Sequence, residues 1–225
     1  MNPTNNNFPQ TPVGQNPIHN KDNGDQEGQE QKESLFEKIT QNWFVSWILV
    51  PAALIFVLHF YVFSAYHVVG SSMVPTLHDS DYLIISKVER TGSLIQGKKY
   101  IPDRNEIIVF HYPKQPTLDF VKRVIGLPGD RVVIKDGKVT VYNSENPNGF
   151  NPDSNHKIEG NYTLAGFSEE TLDVVVPEGN VFVLGDNRTP NGSSDSREWG
   201  MLPSEDIVGN VVLRLYPFNS IQTFF

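Results

Sequence analysis

Phe120-Val121-Lys122-Arg123-Val124-Ile125-Gly126-Leu127-Pro128-Gly129-Asp130-Arg131-Val132-Val133-Ile134-Lys135-Asp136-Gly137-Lys138-Val139-Thr140-Val141-Tyr142 carries the local signals that decide the fold. Its apolar residues are mostly β-branched or aromatic and come in short runs, which is strand chemistry. Leu127-Pro128-Gly129-Asp130 suits a type II turn, with proline fixing φ and glycine supplying φ > 0. Asp136-Gly137, set between two runs of alternating character, suits a two-residue type I′ loop whose twist matches the flanking strands. Outward from this hairpin the same chemistry recurs at Asp81–Ser86, Glu106–Phe110, Val174–Val176, Val181–Leu184 and Ile207–Leu215. No helical period of useful length follows residue 80. A mainly β domain of antiparallel sheet is expected over residues 67–225. Within it, 143–173 is rich in Asn, Gly, Pro, Ser and Glu and reads as a variable loop or insertion.

The N-terminal part has a different character. Residues 1–34 contain twelve Asn or Gln and four residues of the hydrophobic set, too few to offset the entropy of ordering, so a disordered polar tail is expected. Ser34-Leu35-Phe36-Glu37 fits a capping box and starts a helix. From Ile39 to His78 there is no Asp, Glu, Lys or Arg, and Trp43 to Tyr66 is nearly unbroken in its apolar character. A bilayer core about 30 Å thick needs roughly 20 such residues, so 35–66 is expected to hold one transmembrane helix. Trp43, Trp47, Tyr61 and Tyr66 stand toward its ends, where amphipathic rings favour the interface. Lys32 and Lys38 precede the run and Lys87 is the first cation after it, a bias for the N-terminus inside and the β domain outside.

The chain carries a net charge of −8 and shows no basic cluster, which argues against nucleic acid as a partner. It has no cysteine, so thiolate nucleophiles, disulfides and Cys-based zinc sites are excluded. None of its six histidines has metal-ligand spacing, and no metal or other cofactor is expected.

Three pieces can carry chemistry. Gly70-Ser71-Ser72-Met73-Val74-Pro75-Thr76-Leu77 follows the apolar run and taken alone is a turn with solvated or capping hydroxyls. In Phe120–Ile125, strand alternation puts Phe120, Lys122 and Val124 on one face and Val121, Arg123 and Ile125 on the other, so one of two adjacent cations points with apolar neighbours. An exposed Lys122 would snorkel to water. A buried one would lose charge and serve as a base. Gly185-Asp186-Asn187-Arg188-Thr189-Pro190-Asn191-Gly192-Ser193-Ser194-Asp195-Ser196-Arg197-Glu198-Trp199-Gly200 leaves a strand and packs small, polar and charged groups densely.

Together, in this order, the three pieces resemble the bacterial type I signal peptidases, membrane-anchored serine proteases with a Ser–Lys dyad. The resemblance rests on Ser72–Leu77, Lys122–Asp130, and Gly185–Arg188 with Ser193–Arg197, and its layout covers residues 40–215. It implies an antiparallel β-sheet catalytic domain of signal-peptidase type behind one transmembrane helix. Ser72 would be the nucleophile, Lys122 the general base, and Ser193 the hydroxyl that orients the lysine, with Ser194 beside it as the alternative. Asp195 and Arg197 would form a buried ion pair supporting the loop, and Gly185, Asp186 and Asn187 would supply backbone near the site. Many enterobacterial members carry a serine two residues before the nucleophile as an oxyanion donor. Gly70 stands at that position here, which leaves the Ser72 N–H with another donor or water.

The implied substrate is the signal peptide of an exported preprotein, cleaved after small residues at the outer face of the cytoplasmic membrane. The lipid bilayer and the export machinery would be neighbours. Strand addition beside 66–70 and 119–122 would hold the peptide, and Tyr66, Val68, Val69, Phe120 and Val121, which flank the dyad, would line shallow pockets. Two other readings use the same residues: a self-cleaving Ser–Lys regulator, and a non-catalytic membrane-tethered β domain that binds extended peptides.

Overall fold

A computed structural model describes residues 45–160 and 171–224. The chain divides into two units, Met1–Leu54 and Ile55–Phe225. The expected tail over 1–34, the capping box at Ser34 and the start of the apolar run at Trp43 lie outside the described residues.

Among the described residues, helical backbone comprises a π-helical turn at Val45–Leu49, α1 (Val50–Val57) and a second π-helical turn at Leu58–Val62. Among the described residues no helix is long and apolar enough to cross a membrane. The expected helix to Tyr66 is corrected at this end. Phe63 takes extended dihedrals (φ −133°, ψ 153°), and Phe63–His67 is a strand, β1. Apolar composition does not mark the switch, because Phe, Ala and Tyr serve equally in a membrane helix and on a sheet. Pairing decides it: β1 lies antiparallel to β2 (Tyr82–Ser86), with Phe63 opposite Ser86 and His67 opposite Tyr82.

The remaining strands are β3 (Ile107–Tyr112), β4 (Gln115–Gly126), β5 (Arg131–Lys135), β6 (Lys138–Tyr142), β7 (Thr171–Val175), β8 (Asn180–Leu184), β9 (Leu202–Pro203), β10 (Ile207–Tyr216) and β11 (Gln222–Thr223). The larger sheet runs β1-β2-β10-β3-β4-β8-β9, with β11 also on β10; a smaller sheet runs β6-β5-β7. All of these strand pairs are antiparallel, as expected.

The larger sheet is apolar on both faces. Ile107 and Val109 of β3 enter a core with Met73, Leu77, Leu83 and Ile85, whereas Ile108 and Phe110 enter another with Val124, Val183 and Leu202. That double burial explains why β3 reads as an unbroken apolar run. A third core joins the two sheets through Ile125, Phe182 and Leu184 on one side and Val132, Ile134, Val139 and Val141 on the other. The β5–β6 hairpin has the expected register, Lys135 opposite Lys138. Asp136 (φ 51°) and Gly137 (φ 73°) both take the positive φ that a type I′ loop requires.

Two further expectations are revised. Val88–Ile95 forms a helix, α2, where none was read. It is short, has Gly92 in its middle, has no side-chain cap at Lys87 and buries none of its residues, so the usual marks of a helix are missing. The described residues of the segment 143–173 include paired backbone. Phe150 pairs with Val141, Glu159 bridges to Asn187, and residues 171–173 belong to β7, which extends the strand read at Val174 backward.

Candidate active site

Ser72 sits in a tight turn, held from both sides by burial. Met73 and Leu77 are 1% and 0% exposed, and the Leu77 N–H donates to the Met73 carbonyl at 2.9 Å. Before the turn, the Gly70 N–H donates to Asp79 Oδ1 (2.8 Å). After it, Asn187 clamps the backbone: its N–H donates to the Ser72 carbonyl (3.0 Å) and its Nδ2 to the Ser71 carbonyl (3.1 Å). The Ser72 N–H itself has no acceptor among the described residues.

Lys122 lies on β4 opposite Ile108 and is 3% exposed. Its Nζ is 2.9 Å from Ser72 Oγ, donates to the Val121 carbonyl at 2.8 Å, and stands 5.1 Å from the centroid of the Phe120 ring. Burial disfavours the ammonium form and pushes the amine's pKa down to about 8; the charges of Asp195 and Asp186 oppose the shift and Arg197 adds to it. Residues fifty positions apart are thus brought into hydrogen-bond contact, the amine buried and the hydroxyl partly exposed in the cleft.

The choice between two adjacent cations has an unexpected answer, because Arg123 is buried too, at 6% exposure. It points to the opposite side of β4 and forms a two-pronged pair with Asp186, Nε to Oδ1 at 2.8 Å and Nη2 to Oδ2 at 2.6 Å. Thr76 Oγ1, four positions beyond Ser72, also donates to Asp186 Oδ2 (2.5 Å). Asp186 therefore ties the serine turn to the lysine strand. Alternation gives Arg123 a face but neither it nor Thr76 a role at the site, and no linear signal joins Arg123 to a carboxylate 63 positions away.

The Gly185–Gly200 loop folds as a frame. Asp195 caps the short helix α3 (Ser196–Trp199) and pairs with Arg197, Nε to Oδ1 and Nη2 to Oδ2 each at 2.8 Å, both residues buried. Asp195 Oδ2 also accepts from the Gly185 N–H (3.0 Å). Arg188, fully buried, donates to the Gly185 carbonyl through Nε and forks onto Asp153 at 3.1 Å through both terminal nitrogens. His156 Nε2 lies 2.7 Å from Asp153, and these contacts hold the Asp153 carboxyl below its usual pKa against the opposing effect of burial. Gly185 is the crowded point: a Cβ there would overlap both Ser193 Oγ and the Ser72 carbonyl.

Ser193 Oγ is buried and has no hydrogen-bond partner among the described residues. It lines the same cleft as the dyad, with no bond to Lys122 Nζ. The cleft has a volume of about 600 Å³. Tyr66, Val68, Val69, Phe120 and Val121 all line it together with Ser72 and Lys122; so does Ser194, the alternative to Ser193, and so do His67, Leu118 and Asp119, which the sequence does not single out. A larger cavity of about 740 Å³ lies around His156, Arg123 and Arg214 and contains neither member of the dyad; chemistry, not size, identifies the site.

With this geometry in hand, comparison with known proteins is informative. The family described as "Signal peptidase, peptidase S26" matches residues 40–216. The chain is 38% identical over 187 residues to "Signal peptidase I" of Bacillus caldolyticus, covering 78% of this chain and 89% of the relative. It is 36% identical over 178 residues to "Signal peptidase I U" of Bacillus subtilis (strain 168), covering 78% and 87%. It is 34% identical over 188 residues to "Signal peptidase IB" of Staphylococcus aureus (strain COL), covering 80% and 91%.

Proposed function

The chain belongs to the signal peptidase S26 family, and we propose that Ser72 is the nucleophile and Lys122 the general base with which it hydrolyses signal peptides as a serine endopeptidase. The observation that carries this assignment is the 2.9 Å contact between Ser72 Oγ and an amine that is 3% exposed. A serine hydroxyl attacks only when its proton is taken, and a neutral lysine within hydrogen-bond reach takes it. Ser72 Oγ bonds to the scissile carbonyl carbon as its proton passes to Nζ. The peptide C–N bond then breaks, and the leaving amine carries that proton away. Water, deprotonated by the same Nζ, attacks the acyl-enzyme and returns Ser72 to its starting state. The Ser72 N–H is the backbone donor for the negative charge that develops on the carbonyl oxygen.

A neutral amine has one lone pair and two N–H groups. The lone pair receives the Ser72 hydroxyl and one N–H goes to the Val121 carbonyl. Ser193 Oγ, buried in the same cleft and without a partner among the described residues, is the acceptor assigned to the remaining N–H in the reacting complex. Asp186, Asn187, Asp195 and Arg197 hold the frame, and Gly185 leaves room for it.

The peptide binds extended in the cleft, against 66–70 and 119–122. Before Arg123, β4 pairs with β3 alone among the described strands, which leaves that edge open for strand addition. Trp43 to Val62, roughly 20 residues, forms the single membrane anchor. The N-terminus lies in the cytoplasm and the β domain outside, beside the bilayer from which a preprotein and the export machinery present the cleavage site.

The test uses purified full-length chain and a synthetic preprotein with a small-residue cleavage site. Ser72→Ala and Lys122→Met each lower the rate at least about 10⁴-fold, the scale for losing a member of a reacting unit. Lys122→Arg fails as well, because arginine does not deprotonate. Cleavage retained by either single variant removes the dyad.

A further inference from the structure

On the other side of Tyr66, which also lines the cleft, α2 lies against the π-helical turn Leu58–Val62. Thr91 Oγ1 donates to the Tyr61 carbonyl (3.0 Å) and the Lys87 N–H to the Val62 carbonyl (2.7 Å). A groove of about 540 Å³ opens beside this junction. Phe60, Tyr61, Leu94 and Ile95 give it apolar walls, and Leu94 and Ile95 are 58% and 82% exposed. Lys87 and Arg90 enter the same groove half-buried, and among the described residues neither forms an ion pair. Burial and the charge of Arg90 together lower the pKa of Lys87, so two cations share a partly dry space in a chain whose net charge is −8. Such a pair is stabilised by an anion, and the apolar walls select one that carries hydrocarbon.

We propose that this groove binds an anionic phospholipid, its phosphate between Lys87 and Arg90 and its acyl chains against Leu94 and Ile95. The assignment rests on the anchor reading above, which delivers Leu58–Val62, and the groove with it, to the bilayer surface.

The experiment places full-length chain in phosphatidylcholine nanodiscs containing a minority of phosphatidylglycerol and counts the lipids retained on the protein by native mass spectrometry. Phosphatidylglycerol is retained in preference, by about fivefold per cation. Lys87→Gln/Arg90→Gln loses the preference at an unchanged unfolding midpoint, Lys87→Arg keeps it, and Lys98→Gln/Lys99→Gln, which removes two exposed cations outside the groove, keeps it. An unaltered preference in the first double variant, or an equal loss in the second, overturns the site. Displacement by excess inorganic phosphate would mark a free-anion site and overturn the lipid assignment. Flotation with pure phosphatidylcholine liposomes separates the two readings. A chain that does not float sinks the anchor and the groove together, and one that floats without preferring phosphatidylglycerol sinks the groove alone.

Discussion

The β5–β6 hairpin of the smaller sheet and the larger sheet are held by contacts of different reach, while β7 joins β5 from farther along the chain. In the smaller one, Asp136 and Gly137 alone join β5 to β6, and the alternating valines and isoleucines on either side fix the register. In the larger one, the residues that matter meet from far apart: Ser72 with Lys122, and Arg123 with Asp186. The smaller sheet presents no residue to the cleft; the larger one presents Tyr66, Phe120, Val121 and Lys122. The hairpin is thus specified locally, and the site by long-range contacts that include the buried Arg123–Asp186 charge pair. Such pairs contribute little net stability when intact but are costly to break, so they fix the position of the site more than they strengthen the fold.

The largest effect expected from this contrast is at Asp186. Asp186→Asn leaves the Arg123 guanidinium buried without its counter-charge and costs about 3–5 kcal/mol, measured by urea unfolding, with the rate of cleavage falling as well. A loss under about 1 kcal/mol would show that the pair is not the tie between serine turn and lysine strand.

Acidification tests the two regions with one variable. Because the Lys122 amine is neutral above about 8, kcat/KM reaches its plateau there and falls close to tenfold for each pH unit well below it, while far-ultraviolet circular dichroism stays constant. A rate that is flat down to pH 6 contradicts the depressed amine. The sign for stability is separate: as pH rises from about 8 toward the ordinary lysine range, the unfolded chain still binds a proton that the folded site has released, and stability increases.

The smallest effect belongs to the hairpin. Gly137→Ala puts a side chain at φ 73° and costs about 1 kcal/mol, with kcat/KM unchanged. A matching drop in activity would mean that the smaller sheet positions the site after all.

Legibility in the sequence follows the same division. Asp136-Gly137, the runs of β-branched residues and the order of Ser72, Lys122 and Ser193 were all readable, because each is a local pattern or a motif. The end of the helix at Val62 was not, since Phe63 to His67 is apolar in either conformation and only its pairing with β2 sets it apart. Helix α2 escaped because it lacks a cap and a buried face. The burial of Arg123 was invisible for a different reason. Alternation assigned it a face, but the partner that makes burial tolerable is Asp186, and only the assembled sheet brings it near.

Gly185 shows how fine the tolerances of this arrangement are. One hydrogen atom there separates the Ser72 carbonyl from the Ser193 hydroxyl, and a methyl group in its place would act as a wedge between them. The machinery can therefore be disarmed by a change that removes no reacting atom, which makes the least reactive residue in the frame one of the least replaceable.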